Sequence, residues 1–101
     1  KTGLMTTIHA YTGGQSLMDA AISKDMRRCR AAGVNLVPTS THAAEAIYKV
    51  LPNLKGKLHG QSVRVPTPDV SLMDLNVVLD RSTSVEEVNL LFLEKAKGEL
   101  N

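Results

Sequence analysis

His9 stands near the end of the threonine-rich run MTTIHAYT. A neutral imidazole there can take a proton as a general base or activate a thiol. A half-exposed strand histidine would have the same sequence. Arg27, Arg28 and Arg30 surround Cys29. Neighbouring guanidinium groups favour thiolate, so a Cys29–His9 nucleophile pair is one reading. Nothing in the spacing turns His9 toward Cys29, and a small buried thiol is the favoured one. The same arginines suit a bidentate clamp on phosphate or carboxylate, or a solvated basic loop. Pro38-Thr39-Ser40-Thr41-His42-Ala43 gathers hydroxyls and unpaired N–H donors at a helix start. That arrangement serves an anion or an ordinary cap. Arg64 lies between Val63 and Val65, where it either snorkels to water or ligates an anion. Together, His9, Thr12, the arginine cluster, the hydroxyl-rich helix start and Arg64 form a set suited to a phosphorylated substrate. The three histidines lack metal-ligand spacing and one Cys cannot build a zinc cluster. No glycine-rich dinucleotide fingerprint follows a strand.

These residues need elements to place them. Residues 3–12 alternate as a strand, with Leu4, Thr6, Ile8 and Ala10 on one face and Met5, Thr7, His9 and Tyr11 on the other. Gly13-Gly14 breaks it. Residues 13–33 have poor helical spacing and glycine at both ends, which predicts a long irregular segment with one helical turn. Residues 34–38 read as a short strand ended by Pro38. Ala43, Ile47, Val50, Leu51 and Leu54 recur at helical spacing, with Thr41 as N-cap and Pro52 and Gly56 at the far end. Residues 58–66 and 70–80 read as strands joined by the turn Thr67-Pro68-Asp69. A last helix begins at Ser84 or Thr83 in a capping box with Glu87 or Glu86. Val85, Val88, Leu91, Phe92 and Ala96 line its apolar face. The expected fold is α+β, a mixed sheet with helices packed on one face. Nothing visible protects its strand edges, so the sheet is expected to continue in sequence not present here.

Composition bounds the partners. The 101 residues are 43% hydrophobic and 22% charged, which excludes disorder. No apolar run approaches the ~18 residues of a membrane span, so no membrane association is expected. A net charge of +2 and 3% aromatic residues make no case for nucleic acid. One cysteine permits no internal disulfide and fits a reducing, cytoplasmic compartment. The chain opens without Met or a signal-like segment and reads as starting inside a domain.

Longer stretches then carry a resemblance. GLMTTIHAYT, KDMRRCRAA, NLVPTST, AIYKVLPNLKGKLHG, VRVPTPDVSLMDL and SVEEVN run in order through the chain. The sequence resembles the catalytic domain of phosphorylating glyceraldehyde-3-phosphate dehydrogenases. The resemblance implies a homotetrameric enzyme using NAD or NADP. It would oxidise an aldehyde through a thiohemiacetal and pass the acyl group to inorganic phosphate. His9 matches the family histidine that activates the nucleophilic thiol. Thr12 and Arg64 match the pocket for the sugar-phosphate substrate. Arg28, Thr41 and the backbone at His42 match the pocket for inorganic phosphate. Residues 13–33 match an S-shaped loop at a subunit interface that helps line a neighbouring cofactor site.

The sequence departs from the family pattern in several places. The Ser-Cys-Thr-Thr-Asn-Cys motif that carries the family nucleophile is absent, and Cys29 is not at its position. The Rossmann cofactor domain is absent, so residues 1–101 are expected to be part of a catalytic domain and inactive alone. His42 replaces the glycine that usually follows Thr41, and Ile22 reads as a one-residue insertion. An erythrose-4-phosphate dehydrogenase, or a non-catalytic phosphate-binding module on the same scaffold, are the alternatives.

Overall fold

The computed structural model describes residues 2–21 and 24–99; the Ile22 insertion lies outside them. Four strands form one mixed sheet: β1 (Thr2–Ala10), β2 (Val37–Thr39), β3 (Leu58–Val65) and β4 (Ser71–Val78). Two helices accompany them, α1 (Ala43–Val50) and α2 (Val85–Ala96). The spatial order is β2-β3-β1-β4. β1 pairs parallel with β3 and antiparallel with β4, and β2 pairs antiparallel with β3. This is the expected α+β architecture.

β1 ends at Ala10, so Tyr11 and Thr12 lie beyond the strand. The 13–33 segment holds one short 3-10 turn, Met26–Cys29, as its poor helical spacing implied. The second strand differs from expectation. It spans Val37–Thr39, with Pro38 at its centre instead of its end. β2 is an edge strand, where a missing N–H need not break a ladder. Pro38 lies opposite Val63, and Val37 and Thr39 turn inward and are buried.

Helix starts follow their capping chemistry. The Ser84 hydroxyl accepts from the Glu87 N–H at 3.2 Å, closing one half of a box at α2. The Glu87 carboxylate turns to the Thr83 hydroxyl at 2.8 Å and Arg81 at 2.6 Å instead of completing it. The Arg81 hydrogen bond, with that from Thr83, holds the Glu87 carboxyl below its ordinary range. At α1 the Thr41 hydroxyl accepts from the Ala43 N–H at 3.2 Å, while His42 occupies the cap position.

Side chains opposite one another in the register share a face. One face carries Gly3, Met5, Thr7 and His9 from β1, with Leu58, Gly60, Ser62 and Arg64 from β3. Val77, Leu75, Met73 and Ser71 of β4 complete it. It is apolar where β1 begins and polar where β1 ends. α1 closes on the apolar part: Ile47 and Leu54 join Met5, Leu58, Met73 and Leu75 around one cavity. The Tyr48 hydroxyl donates to the Leu58 carbonyl and fixes the helix to β3.

Met5 is the largest side chain removed from water on this face, at 2% exposure. α2 has no buried residue, and Leu91 and Phe92 of its expected apolar face stand exposed. The radius of gyration is 16.9 Å, well above the ~13 Å of a compact chain of this length.

Met5→Ala is expected to cost about 2–5 kcal/mol, because it leaves a cavity between α1 and the sheet. Met5→Leu keeps the volume and should cost less than about 1.5 kcal/mol. Urea unfolding midpoints of the two variants test this order.

Candidate functional site

The parallel register sets His9 directly across from Arg64, at the C-terminal ends of β1 and β3. Their side chains meet: Arg64 Nη1 lies 3.1 Å from His9 Nδ1. Both also reach one backbone oxygen. The Ala10 carbonyl is 2.7 Å from His9 Nδ1 and 3.2 Å from Arg64 Nη1.

A carbonyl only accepts, so the 2.7 Å contact requires a proton on Nδ1. Arg64 then donates to the same carbonyl and lies beside the imidazole without donating to it. In the neutral ring this tautomer leaves the Nε2 lone pair available. A histidine held in this way is equipped to take a proton from a group that approaches Nε2.

Arg64 is only partly exposed, and its Nε–H is buried without a hydrogen-bond partner among the described residues. Burial, and then the like charge of Arg28, press its guanidinium below its ordinary range. Two cations brought this close repel each other, and an anion between them relieves both.

Arg28 comes from the 3-10 turn, where an ion pair at 3.8 Å ties its Nε to Asp25. Asp25 spends more of its carboxylate on Arg27, which holds it in a two-pronged pair at 3.0 and 3.1 Å. That pairing keeps the Asp25 carboxyl below its ordinary range. Arg28 Nη1 and the Thr12 hydroxyl both flank Gly14; a Cβ added there would lie 3.7 Å from one and 3.9 Å from the other. His9, Arg64, Arg28 and Thr12 therefore gather where β1 leaves the sheet.

The 13–33 segment is held by its own backbone. Ser16 N–H donates to the Arg28 carbonyl at 3.0 Å, Ala20 N–H to the Cys29 carbonyl at 3.0 Å, and Ala32 N–H to the Ser16 carbonyl at 2.9 Å. The Asp19 carboxylate accepts from the Ala31 N–H and pairs with Arg30. Cys29 is buried, with its thiol 3.8 Å from the Asp25 carbonyl. His9 donates its Nδ1–H to the Ala10 carbonyl, and the contacts described do not join His9 to Cys29. The favoured reading of Cys29 as a small buried thiol agrees with this.

Thr41 and His42 lie beyond the end of β2, at the start of α1. β2 runs antiparallel to β3, so Thr39 lies opposite Ser62 and the chain moves away from Arg64 as it approaches Thr41. The Thr41 hydroxyl is engaged by Ala43 N–H. The His42 ring is exposed and pairs with Glu45 at 3.2 Å across one helical turn. The imidazole that replaces the usual glycine thus has a local partner on its own helix.

Two residues that hold the segment after His9 escaped the sequence reading. Val70 adopts φ +70°, a strained conformation for a β-branched residue, and its carbonyl accepts from the Ala10 N–H at 3.2 Å. Gln15 bonds Thr12 through both backbone and side chain. A valine gives no sequence signal for positive φ, whereas Gln15 stands three residues after Thr12, within reach of a turn contact.

No helix among the described residues is long and apolar enough to cross a membrane. No group of His, Cys, Asp or Glu among them is arranged to hold a metal.

Comparison with known proteins places this geometry in context. Glyceraldehyde-3-phosphate dehydrogenase 1 of Bacillus cereus is 58% identical over 100 residues, covering 99% of this chain and 30% of that protein. The chloroplastic glyceraldehyde-3-phosphate dehydrogenase A of Zea mays is 57% identical over 98 residues, covering 97% of this chain and 24% of that protein. The glyceraldehyde-3-phosphate dehydrogenase of Helicobacter pylori is 51% identical over 100 residues, covering 99% of this chain and 30% of that protein. The chain thus spans less than a third of the length of these relatives. The family model for the glyceraldehyde 3-phosphate dehydrogenase C-terminal domain matches residues 1–101, and the chain belongs to that family.

Proposed function

We propose that this chain is the part of a phosphorylating glyceraldehyde-3-phosphate dehydrogenase that supplies the base and the anion pockets. The observation that carries the reading is the His9–Ala10–Arg64 contact. It fixes the imidazole with Nε2 free to accept a proton and sets a guanidinium beside it. In this role His9 takes the proton of the nucleophilic thiol, which comes from outside these 101 residues. The thiolate adds to the aldehyde carbon of the substrate. The protonated imidazole then lies beside the oxyanion that forms.

Thr12 and Arg64 bind the phosphate of the sugar-phosphate substrate, D-glyceraldehyde 3-phosphate. Arg28, Thr41 and the backbone N–H at His42 hold the inorganic phosphate that takes up the acyl group, giving 1,3-bisphosphoglycerate. The depressed proton affinity of Arg64 beside Arg28 supports a site that gains from an anion.

NAD or NADP is the hydride acceptor in this reaction. Its binding falls mainly to the cofactor domain outside these 101 residues, with the 13–33 loop helping to line the site of a neighbouring subunit.

We propose further that the protein is a cytoplasmic homotetramer with the 13–33 loop at a subunit interface. Leu17 and Met18 of that loop are 71% and 78% exposed, which supports burial against another subunit.

In the full-length enzyme, His9→Asn should lower the chemical rate by about 10²–10⁴-fold. Single-turnover NADH or NADPH formation measures it, and an unchanged rate would remove His9 from this role. Arg64→Leu should mainly raise the KM for the sugar phosphate, and Arg28→Leu should mainly weaken the dependence on inorganic phosphate. Steady-state titrations of each substrate separate the two. The double change Leu17→Asp and Met18→Asp should split the tetramer, which light scattering after gel filtration reads directly.

A further inference from the structure

We propose that Gln15 is a positioning residue for the sugar-phosphate pocket, acting through Thr12. The inference rests on the assignment of Thr12 to that pocket. The two residues are joined twice. Gln15 N–H donates to the Thr12 carbonyl at 2.9 Å, and the Gln15 Oε1 accepts from the Thr12 N–H at 3.2 Å. Because the backbone N–H can only donate, the amide orientation is fixed, with Oε1 toward Thr12 and Nε2 away from it.

Thr12 needs such a hold. β1 ends at Ala10, so Thr12 lies outside the sheet ladder. Tyr11 and Ala10 are tied to the turn before β4, through Thr67 and Val70 carbonyls at 3.2 Å each. Thr12 receives its backbone partner from Gln15 instead. The glycines at 13 and 14 that follow would otherwise leave the chain free to pivot there.

Gln15 itself is buried, at 8% exposure, in a loop whose other side chains are mostly exposed. Its Nε2 is buried without a hydrogen-bond partner among the described residues. An unpaired buried amide is a cost to folding that an apolar side chain of the same volume would not carry. A glutamine serving only to fill this space would be the poorer choice. Its acceptor oxygen does what an apolar residue cannot: it fixes the direction of Thr12, whose hydroxyl flanks Gly14 together with Arg28 Nη1.

The test compares the full-length enzyme with Gln15→Met, which keeps volume and removes the acceptor. The substrates are glyceraldehyde 3-phosphate and glyceraldehyde without its phosphate. Gln15→Met should raise the KM for the phosphorylated aldehyde by about tenfold, the weight of roughly one hydrogen bond. Its kcat should stay within about twofold, the constants for glyceraldehyde should hold, and the melting temperature should not fall. In a Thr12→Ala background Gln15→Met should add no further loss, because the effect passes through the Thr12 hydroxyl. An unchanged preference for the phosphorylated aldehyde, or additive losses in the double variant, overturns the proposal. Failure of both Gln15→Met and Gln15→Leu to fold overturns it too, by making Gln15 a folding residue. A wild-type enzyme that does not prefer the phosphorylated aldehyde overturns instead the assignment of Thr12.

Discussion

The Ala10 carbonyl is the acceptor on which the candidate site depends. It takes a proton donor from His9 and another from Arg64, at 2.7 and 3.2 Å. One oxygen thereby fixes the tautomer of the ring and the reach of the guanidinium. Its own position is set from two directions. The parallel pairing of β1 with β3 puts Ala10 opposite Val65 and His9 opposite Arg64. The Val70 carbonyl then holds the Ala10 N–H from the turn before β4, at the cost of a left-handed φ on a β-branched residue. The strained residue thus lies in the turn that places the Ala10 backbone.

Much of this was legible in the sequence. Period-two alternation found β1, β3 and β4, since each has side chains that divide between two faces. Helical spacing and the Ser84–Glu87 pattern found both helices. The set of His9, Thr12, Arg28 and Arg64 also stood out by residue type, and these four come together. Pro38 misled because a proline normally ends a strand, yet an edge position removes the reason for the rule. Register was not legible. That β1 and β3 run parallel, and that His9 faces Arg64 in particular, depends on a crossover through the loop, β2 and α1. No local pattern encodes such a pairing.

The site and the hydrophobic packing divide the same sheet face. Met5, Met73 and Leu75 make its apolar half beneath α1, while His9, Thr7, Ser62 and Arg64 make its polar half. The alternation of one strand therefore serves both purposes, with the change from Met5 to His9 taking only four residues. A rigid strand with a buried anchor at one end gives the histidine at the other end a fixed origin.

The exposed apolar surface is concentrated at one edge of the sheet. β4 is an edge strand whose every residue is exposed, and α2 beyond it buries none. Leu72, Met73, Leu91 and Phe92 are each more than half open to water. By contrast the segment around His9 is braced by Arg64, Val70, Thr67 and Gln15. Long apolar edges are a liability unless something covers them, and this chain covers less than a third of the relatives it matches. The two halves of the structure thus answer to different neighbours. The His9–Arg64 cluster is organised by short contacts between β1, β3 and the loops that follow them. The far edge, with β4 and α2, leaves its apolar faces open to water.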